Sequence, residues 1–171
     1  MGNITDGADL YDFEGYKIYR ATDFEFSDSY TITDGDGNLT FMEPYVQNGV
    51  PARWDLVNGK KGWHPVDLNG VKFYLGDDTG LVHSYVDNNV VNGQRYYYAV
   101  VSYDYGGDLN NNIIPSDSPM RLRVHPVTGA IEMGPNVVAV TPSPPSSGYV
   151  EANLDGNSIE HVLGASSGDI S

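Results

Sequence analysis

The run from Val90 to Asp104 constrains the fold of this chain more than any other part of its sequence. It opens with the turn signal Asn92-Gly93, continues through aromatic and β-branched residues, and ends in an acidic, glycine-rich loop. Alternation along a strand puts one set of side chains on each face. The two sets are Tyr96, Tyr98, Val100 and Ser102, and Tyr97, Ala99, Val101 and Tyr103. Because both sets are largely apolar, the run predicts a central strand that is covered on both faces.

The composition favours an all-β protein. The chain has 171 residues, enough for one domain with or without a tail, and it contains 20 Gly, 10 Pro and 13 Tyr. Glycine and proline punctuate strands and turns, whereas no long stretch repeats its apolar residues with the helical period of about 3.6. We therefore expect very little helix.

The charge and the residue types that are missing exclude several classes of function. Nine Lys and Arg stand against 23 Asp and Glu, for a net charge of −14, which disfavours nucleic acid and anionic membranes as partners. No apolar run is long enough for a membrane span, so we expect no membrane insertion. The chain has no cysteine, which excludes disulfides, thiolate metal sites and a cysteine nucleophile. Residues 1–4 lack the basic and apolar regions of a signal peptide.

Alternating patterns and turn signals divide the rest of the chain. Residues 1–12 are expected to be irregular, 13–141 to form the folded domain with an insertion at 34–73, and 142–171 to be a Pro/Ser/Gly-rich linker and tail. The patterns predict strands at 13–20, 30–33, 39–45, 71–75, 81–86, 120–124, 130–133 and 137–140, the last two as a hairpin.

Two blocks of this pattern resemble a fibronectin type III-like sandwich. Residues 12–23, which contain Gly-Tyr-Lys-Ile-Tyr-Arg, resemble the third strand of that family, and residues 93–104 resemble its sixth. The resemblance puts Tyr96 at the family's corner tyrosine and makes 115–118 the approach to a seventh strand. It is closest to modules of very large secreted or surface-attached bacterial proteins.

The resemblance implies an incomplete module. The family's first two strands should precede Phe13, where twelve mostly polar residues leave no room for them, and about fifty residues are inserted after the third strand. The predicted fold is thus an all-β, fibronectin type III-like β-sandwich with a long β-rich insertion, lacking its first two strands. Residues 136–163, a neighbouring domain or a neighbouring copy would fill the gap by strand addition.

Carboxylate-rich loops are the candidate metal sites. Asp34, Asp36 and Asn38 place oxygen side chains at alternate positions, as a Ca²⁺ loop begins. The EF-hand pattern then fails, because Tyr45 stands where a bidentate Glu is needed, although Glu43 offers a carboxylate nearby. A tight turn rich in Asp and Gly is the alternative. Further loops rich in side-chain oxygens carry Asp77, Asp78, Asp104 and Asp108. The alternative is that these are plain hydrophilic loops that bind no metal.

Aromatic residues offer a candidate binding surface and no catalytic one. Trp54 and Trp63, with Tyr45 and Tyr74, have the flat rings that stack on sugars, but the favoured alternative is that they cover a small core of the insertion itself. No catalytic motif is present, and 23 acidic residues make some carboxylate pair inevitable. The sequence predicts a non-catalytic structural or adhesive module of an exported bacterial protein, extracellular or on the cell surface, with Ca²⁺ as a stabiliser. A carbohydrate-binding module using Trp54 and Trp63 is the alternative, and a glycan-active hydrolase is the third.

Overall fold

Every regular element of the structure is a β-strand. The computed structural model describes residues 12–107, 110 and 112–149, and within them there is no helix, and so none that could cross a membrane. The twelve strands are β1 Phe13–Ala21, β2 Thr31–Thr33, β3 Leu39–Met42, β4 Val46–Gln47, β5 Val50–Pro51, β6 Arg53–Asp55, β7 Trp63–Leu68, β8 Val71–Tyr74, β9 Tyr96–Asp104, β10 Leu122–Val124, β11 Ile131–Met133 and β12 Val137–Val140. The prediction of an all-β chain is confirmed.

A four-stranded antiparallel sheet in the order β12-β9-β1-β6 forms the centre of the molecule. The two long strands, β1 and β9, pair along almost their whole length, with Lys17 opposite Val101. On the other side of β9, Val137 of β12 lies opposite Ala99. The run that begins after Asn92-Gly93 is therefore the central strand that its sequence predicts.

One face of this sheet, which we call the closed face, carries the core. Its residues from β1 and β9 are buried: Lys17, Tyr19, Ala21, Tyr97, Ala99, Val101 and Tyr103. Phe26, Met42, Met120 and Leu122 pack over one half of this face, and the β3 and β8 hairpins cover the other half. The burial of these large side chains supplies most of the hydrophobic stabilisation of the fold.

The inserted region shares this core, so the prediction that it has a small core of its own is wrong. The Phe41 and Phe73 rings pack edge to face, with their centroids 5.2 Å apart. Phe73 also packs against Tyr103 of β9, with ring centroids 5.6 Å apart. Short two-stranded hairpins cannot bury both of their faces alone, so they fold down onto the large sheet. The insertion also supplies β6, which extends the central sheet beside β1.

Two separate segments pair with the outer edge of β9. Residues 116–118 pair with its end, where Ser118 N–H donates to the Ser102 carbonyl at 2.7 Å, and β12 pairs with its beginning. Asn136 bridges the gap, because its side-chain amide donates to the carbonyls of Val100 and Pro119. Between these segments, β10 and β11 form a hairpin away from the sheet. The predicted hairpin of 130–133 with 137–140 is therefore wrong: both strands form, but with different partners.

The opposite face of the sheet, which we call the open face, is only partly covered. It carries Tyr16 and Ile18 of β1, Tyr98 and Val100 of β9, Val138 of β12 and Trp54 of β6. Val100 is 48% exposed and Val138 is 51% exposed, so the prediction of a central strand covered on both faces is wrong at this point. The strand predicted at 81–86 is also absent, because that stretch has no neighbouring strand to pair with among the described residues.

Candidate functional site

The segment from Leu81 to Asp87 lies across the open face without joining any sheet. Its residues Val82 and Tyr85 line a cavity of about 390 Å³ whose floor is formed by Tyr16, Ile18 and Val100. No backbone–backbone hydrogen bond joins this segment to another described residue, although the Gln47 side-chain amide donates to the Val86 carbonyl at 3.1 Å. Backbone N–H and C=O groups are obligatory hydrogen-bonding groups, so a stretch of unpaired ones beside an apolar surface is a site for another strand.

Asp87 anchors the end of the segment to the sheet. Its carboxylate accepts hydrogen bonds from the Arg20 guanidinium at 2.8 Å and from the Tyr98 hydroxyl at 2.7 Å. The Arg20 guanidinium also lies 3.8 Å from the ring centroid of Tyr45. Burial is the largest single influence on the pKa of Asp87 and acts to raise it, but the hydrogen bonds from Tyr98 and Arg20 outweigh it and hold that pKa below its ordinary value.

Tyr96 fixes the loop that leads into the central strand. Its hydroxyl accepts a hydrogen bond from the Val91 N–H at 3.0 Å, five residues upstream. Gly93 N–H donates to the Pro142 carbonyl at 2.8 Å, which ties the same loop to the chain beyond β12. A tyrosine hydroxyl that bonds backwards to the backbone is the contact that the family resemblance implies for a corner tyrosine.

A second cavity adjoins the first and contains one of the two tryptophans. It has a volume of about 510 Å³, with Trp54, Val82 and Tyr85 among its apolar lining residues and Gln47 and Thr79 among its polar ones. The Trp54 and Tyr85 rings meet edge to face, with centroids 5.4 Å apart. We call this cavity the Trp54 groove.

The four aromatic residues predicted as a sugar platform are not brought together. Trp63 is 61% exposed and packs against Tyr74 with ring centroids 4.9 Å apart, and neither residue lines the Trp54 groove. Tyr45 instead stacks on Arg20. The structure therefore retains Trp54 as a candidate contact residue in a groove and leaves Trp63 on a separate surface.

The structure brings together only part of the predicted calcium loop. Asp34 is buried, and its carboxylate accepts hydrogen bonds from the Asn38 N–H at 2.8 Å and from the side-chain amides of Asn38 and Asn69 at 3.1 Å. The hydrogen bond from the Asn38 side chain holds the pKa of Asp34 below its ordinary value. Asp36 is exposed, whereas Glu43 faces the Arg53 guanidinium at 4.0 Å.

The other predicted carboxylates also accept hydrogen bonds from their own chain. Asp78 accepts from the Gly59 N–H at 2.8 Å and pairs with Lys61 at 2.9 Å, and Asp104 accepts from the Ser116 N–H at 2.9 Å. The Asp77 carboxylate accepts from the Tyr74 hydroxyl, and Asp108 lies outside the described residues. Among the described residues, no three His, Cys, Asp or Glu side chains are grouped so that they could hold a metal ion.

Two buried charged residues are important in the structure and were not singled out from the sequence. Asp55 is fully buried and accepts hydrogen bonds from the Asp78 N–H at 2.6 Å, the Thr79 N–H at 2.8 Å and the Thr79 hydroxyl at 2.6 Å. Burial is the largest influence on the pKa of Asp55 and acts to raise it, yet these hydrogen bonds hold the pKa below its ordinary value. Lys17 is the second, and the only signal for its burial is that it alternates onto the same face as Tyr19.

The lowered pKa values of four aspartates predict that the fold loses stability in acid. The pKa values of Asp34, Asp55, Asp78 and Asp87 are all lowered in the folded state. Such groups stabilise the fold fully above their unfolded pKa of about 3.9, and this stabilisation is lost as the pH falls through the lower folded values. Glu14 acts in the opposite direction, because burial raises its pKa. We expect the melting temperature to fall steeply as the pH is lowered below about 4. A melting temperature that rises as the pH is lowered would show that Glu14 outweighs the four aspartates.

Comparison with known proteins gives no match: no family model, curated protein or solved structure matches the chain. The open face has features that can bind a partner. Two cavities share Val82 and Tyr85, and the backbone of 81–87, apart from the Val86 carbonyl, makes no hydrogen bond with other described residues. Chemically, this arrangement suits the main chain and alternating apolar side chains of an added β-strand.

Proposed function

We propose that the chain is a non-catalytic structural or adhesive module of an exported bacterial protein, and that it is completed by a β-strand from a neighbouring domain or a neighbouring copy. In this proposal the module is a fibronectin type III-like sandwich, and the sheet β12-β9-β1-β6 is one of its two sheets. The resemblance assigns β1 and β9 to the third and sixth strands, which are neighbours in one sheet of such sandwiches together with the seventh. In the order β12-β9-β1, β12 takes the place of the seventh strand, whereas the strand that follows residues 115–118, β10, pairs with β11 instead of β9.

The observation that carries this proposal is the unpaired segment from Leu81 to Asp87 over the open face. In a sandwich, a second sheet packs about 10 Å from the first, and its inner side chains meet those of the first sheet. The 81–87 segment lies on the side of the sheet where that second layer would be, and its Val82 and Tyr85 line one cavity together with Tyr16, Ile18 and Val100. Further strands added at its free edges would bury Val100 and Val138.

The acidic loops fit a structural role in the same proposal. The described carboxylates at Asp34, Asp55, Asp78 and Asp104 each accept hydrogen bonds from backbone N–H groups of nearby turns. Each such bond to a charged acceptor helps to hold a long loop in one conformation. The acidity of the chain is thus used to fix its turns.

Calcium stabilisation is part of the proposal and rests on the sequence pattern at Asp34, Asp36 and Asn38. A bound ion stabilises the folded state by mass action, by about 2.7 kcal/mol at a hundredfold excess over its dissociation constant. Melting curves in millimolar CaCl₂ and in EDTA test this directly. Equal melting temperatures would remove calcium from the proposal and leave strand addition standing.

Strand addition predicts that the open face drives association. We expect the full chain to self-associate as its concentration rises, because copies supply strands to one another when no neighbouring domain is present. The substitution Val100→Asp puts a charge at the centre of the open face and should abolish association. Val127→Asp is the matched control, because Val127 is 87% exposed at the tip of the β10–β11 hairpin. Light scattering after size exclusion measures the effect; equal association of both variants would contradict the proposal.

A carbohydrate-binding module is the second candidate, and the Trp54 groove is the observation that favours it. The groove combines an indole ring with amide and hydroxyl side chains at Gln47 and Thr79, which together suit a sugar ring. Tryptophan fluorescence against a panel of glycans tests this candidate. If a sugar binds in the groove, its addition changes the fluorescence of the wild type and of Trp63→Ala but not that of Trp54→Ala. No change in the wild type would exclude binding of the glycans in that panel.

A further inference from the structure

Lys17 is a charged side chain in the core of the closed face. It is 2% exposed, and its Nζ lies 3.1 Å from Asp117 Oδ1. The same nitrogen lies 3.9 Å from the ring centroid of Phe73 and 5.1 Å from that of Tyr103. Lysine is almost never fully buried unless it is paired, and burial lowers the pKa of this ammonium although Asp117 opposes that effect.

Asp117 is held in place by the backbone on either side of it. Residues 116–118 pair with the end of β9, through the Asp104 N–H to the Ser116 carbonyl at 3.1 Å and the Ser118 N–H to the Ser102 carbonyl at 2.7 Å. The second carboxylate oxygen, Oδ2, accepts a hydrogen bond from the Tyr19 hydroxyl. The carboxyl group is thus positioned with one oxygen towards the amine and the other towards a proton donor.

These contacts bring the buried Lys17 amine against the carboxyl group of Asp117, whose side chain is 21% exposed. Burial deprives the ammonium of its hydration and so lowers its pKa, which favours the neutral, nucleophilic amine. The Nζ lies 3.1 Å from Oδ1 and 3.5 Å from Oδ2, so the amine faces both oxygens of the group whose carbon it would attack. Holding two reactants together in this way gives large rate advantages over free reactants.

We propose that Lys17 and Asp117 condense to form an intramolecular isopeptide bond. The Lys17 Nζ attacks the Asp117 carboxyl carbon; the Nζ–Cγ bond forms and the Cγ–Oδ1 bond breaks. Oδ1 leaves as water with the two protons that the ammonium gives up, so no oxidant, metal or other reactant is needed. The Tyr19 hydroxyl stabilises the negative charge that develops on Oδ2, as preformed donors do in acyl transfer.

The cross-link would join the two neighbours of the central strand. Lys17 is on β1 and Asp117 is on the 116–118 segment, which lie on opposite sides of β9. A covalent bond over the closed face would therefore hold three adjacent strands together. This suits a module that bears load, but the inference stands on the contacts of Lys17 and Asp117 alone and does not depend on the proposed function.

The chain contains a matched pair that should not react. Lys61 Nζ lies 2.9 Å from Asp78 Oδ2, as close as the proposed pair, but the Lys61 side chain is 59% exposed. Water hydrates the Lys61 ammonium, and its hydrogen bond to Asp78 raises the pKa of Lys61, so this amine stays protonated and is not a nucleophile. The Asp78 side chain is 14% exposed and that of Asp117 is 21% exposed, so a comparison of the two pairs isolates the effect of burying the lysine.

The intact mass of the purified, folded full chain tests the proposal. After prolonged incubation, we expect a loss of one water molecule from the mass given by the sequence. Trypsin should then fail to cleave after Lys17, and fragment spectra should show one branched peptide that contains both Lys17 and Asp117. An unchanged mass would overturn the proposal, as would a cross-link found between Lys61 and Asp78.

Variants exclude the other source of water loss, a succinimide at an Asp-Gly pair such as Asp34-Gly35. Lys17→Arg and Asp117→Ala should each restore the full mass, and Asp117→Asn should lose ammonia in place of water. A loss of water that persists in Lys17→Arg would assign it to a succinimide and overturn the proposal. The wild-type spectra are decisive even if a variant does not fold.

Discussion

Replacing Asp55 with alanine is expected to lower the free energy of unfolding by about 3 to 5 kcal/mol. The substitution removes the carboxylate that accepts hydrogen bonds from the backbone N–H groups of Asp78 and Thr79 and from the Thr79 hydroxyl. These donors lie at a fully buried carboxylate, where water does not readily replace the lost bonds. Denaturant unfolding followed by tryptophan fluorescence measures the change.

Asp36→Ala is the matched control for this prediction, because Asp36 is an exposed aspartate in a turn of the same insertion. We expect its effect to stay within about 0.5 kcal/mol, as is usual for surface substitutions. If Asp55→Ala were as mild as Asp36→Ala, the loop at 76–80 would not depend on the Asp55 carboxylate. The role assigned here to buried carboxylates in fixing turns would then be wrong.

Replacing Gly15 with alanine is the second large effect, with an expected destabilisation of about 3 kcal/mol. An added Cβ would overlap the Trp54 carbonyl oxygen of the neighbouring strand β6 and would lie 2.7 Å from the Tyr103 hydroxyl oxygen. The first contact is with backbone, so relief requires β1 and β6 to separate. The Tyr103 hydroxyl would also lose its place beside the Leu75 carbonyl, to which it donates a hydrogen bond.

Gly35→Ala provides the control, since an added Cβ there meets nothing within 4 Å. It is expected to be neutral or slightly stabilising, because alanine restricts the unfolded chain more than glycine does. Thermal melts of both variants, each read against the wild type, measure the difference. Equal melting temperatures would mean that β6 does not approach β1 as closely as described.

The sequence was sufficient to predict the strands whose pattern is long and whose environment is uniform. β1 and β9 each run for nine residues and pair with each other, and they alternate between the two faces along most of their length, with a shift of register between Phe13 and Gly15. Their burial on the closed face follows from the same alternation. For these elements, local pattern and tertiary position agree.

Strand partners could not be predicted for the short elements. β11 and β12 have three and four residues, and alternation over so few positions does not specify which neighbour a strand pairs with. The pairing is decided by Asn136, which bonds to Val100 and Pro119 and directs β12 onto β9. A single asparagine after a Gly-Pro pair carries no signal of that kind in the sequence.

The segment at 81–86 shows the opposite case, in which a strand pattern is present and the strand is not. Its residues alternate as strand residues do, but a strand exists only where a second strand accepts its hydrogen bonds. Within the described residues no such neighbour is available. The candidate site thus arises where local preference and the available partners disagree, as is expected of functional positions.

Hydrogen exchange in the dilute, monomeric full chain tests the central claim most directly, because amides without hydrogen-bond partners exchange rapidly. We expect the amides of Leu81 to Asp87 to exchange at once, while those of Tyr96 to Asp104 remain protected by pairing on both sides. When the protein concentration is raised, other copies of the chain can donate strands. The 81–87 amides should then become protected, and the protection of β9 should not change. If the 81–87 amides are as protected as β9 in the dilute monomer, the edge is not open and the account of a strand-accepting module is contradicted.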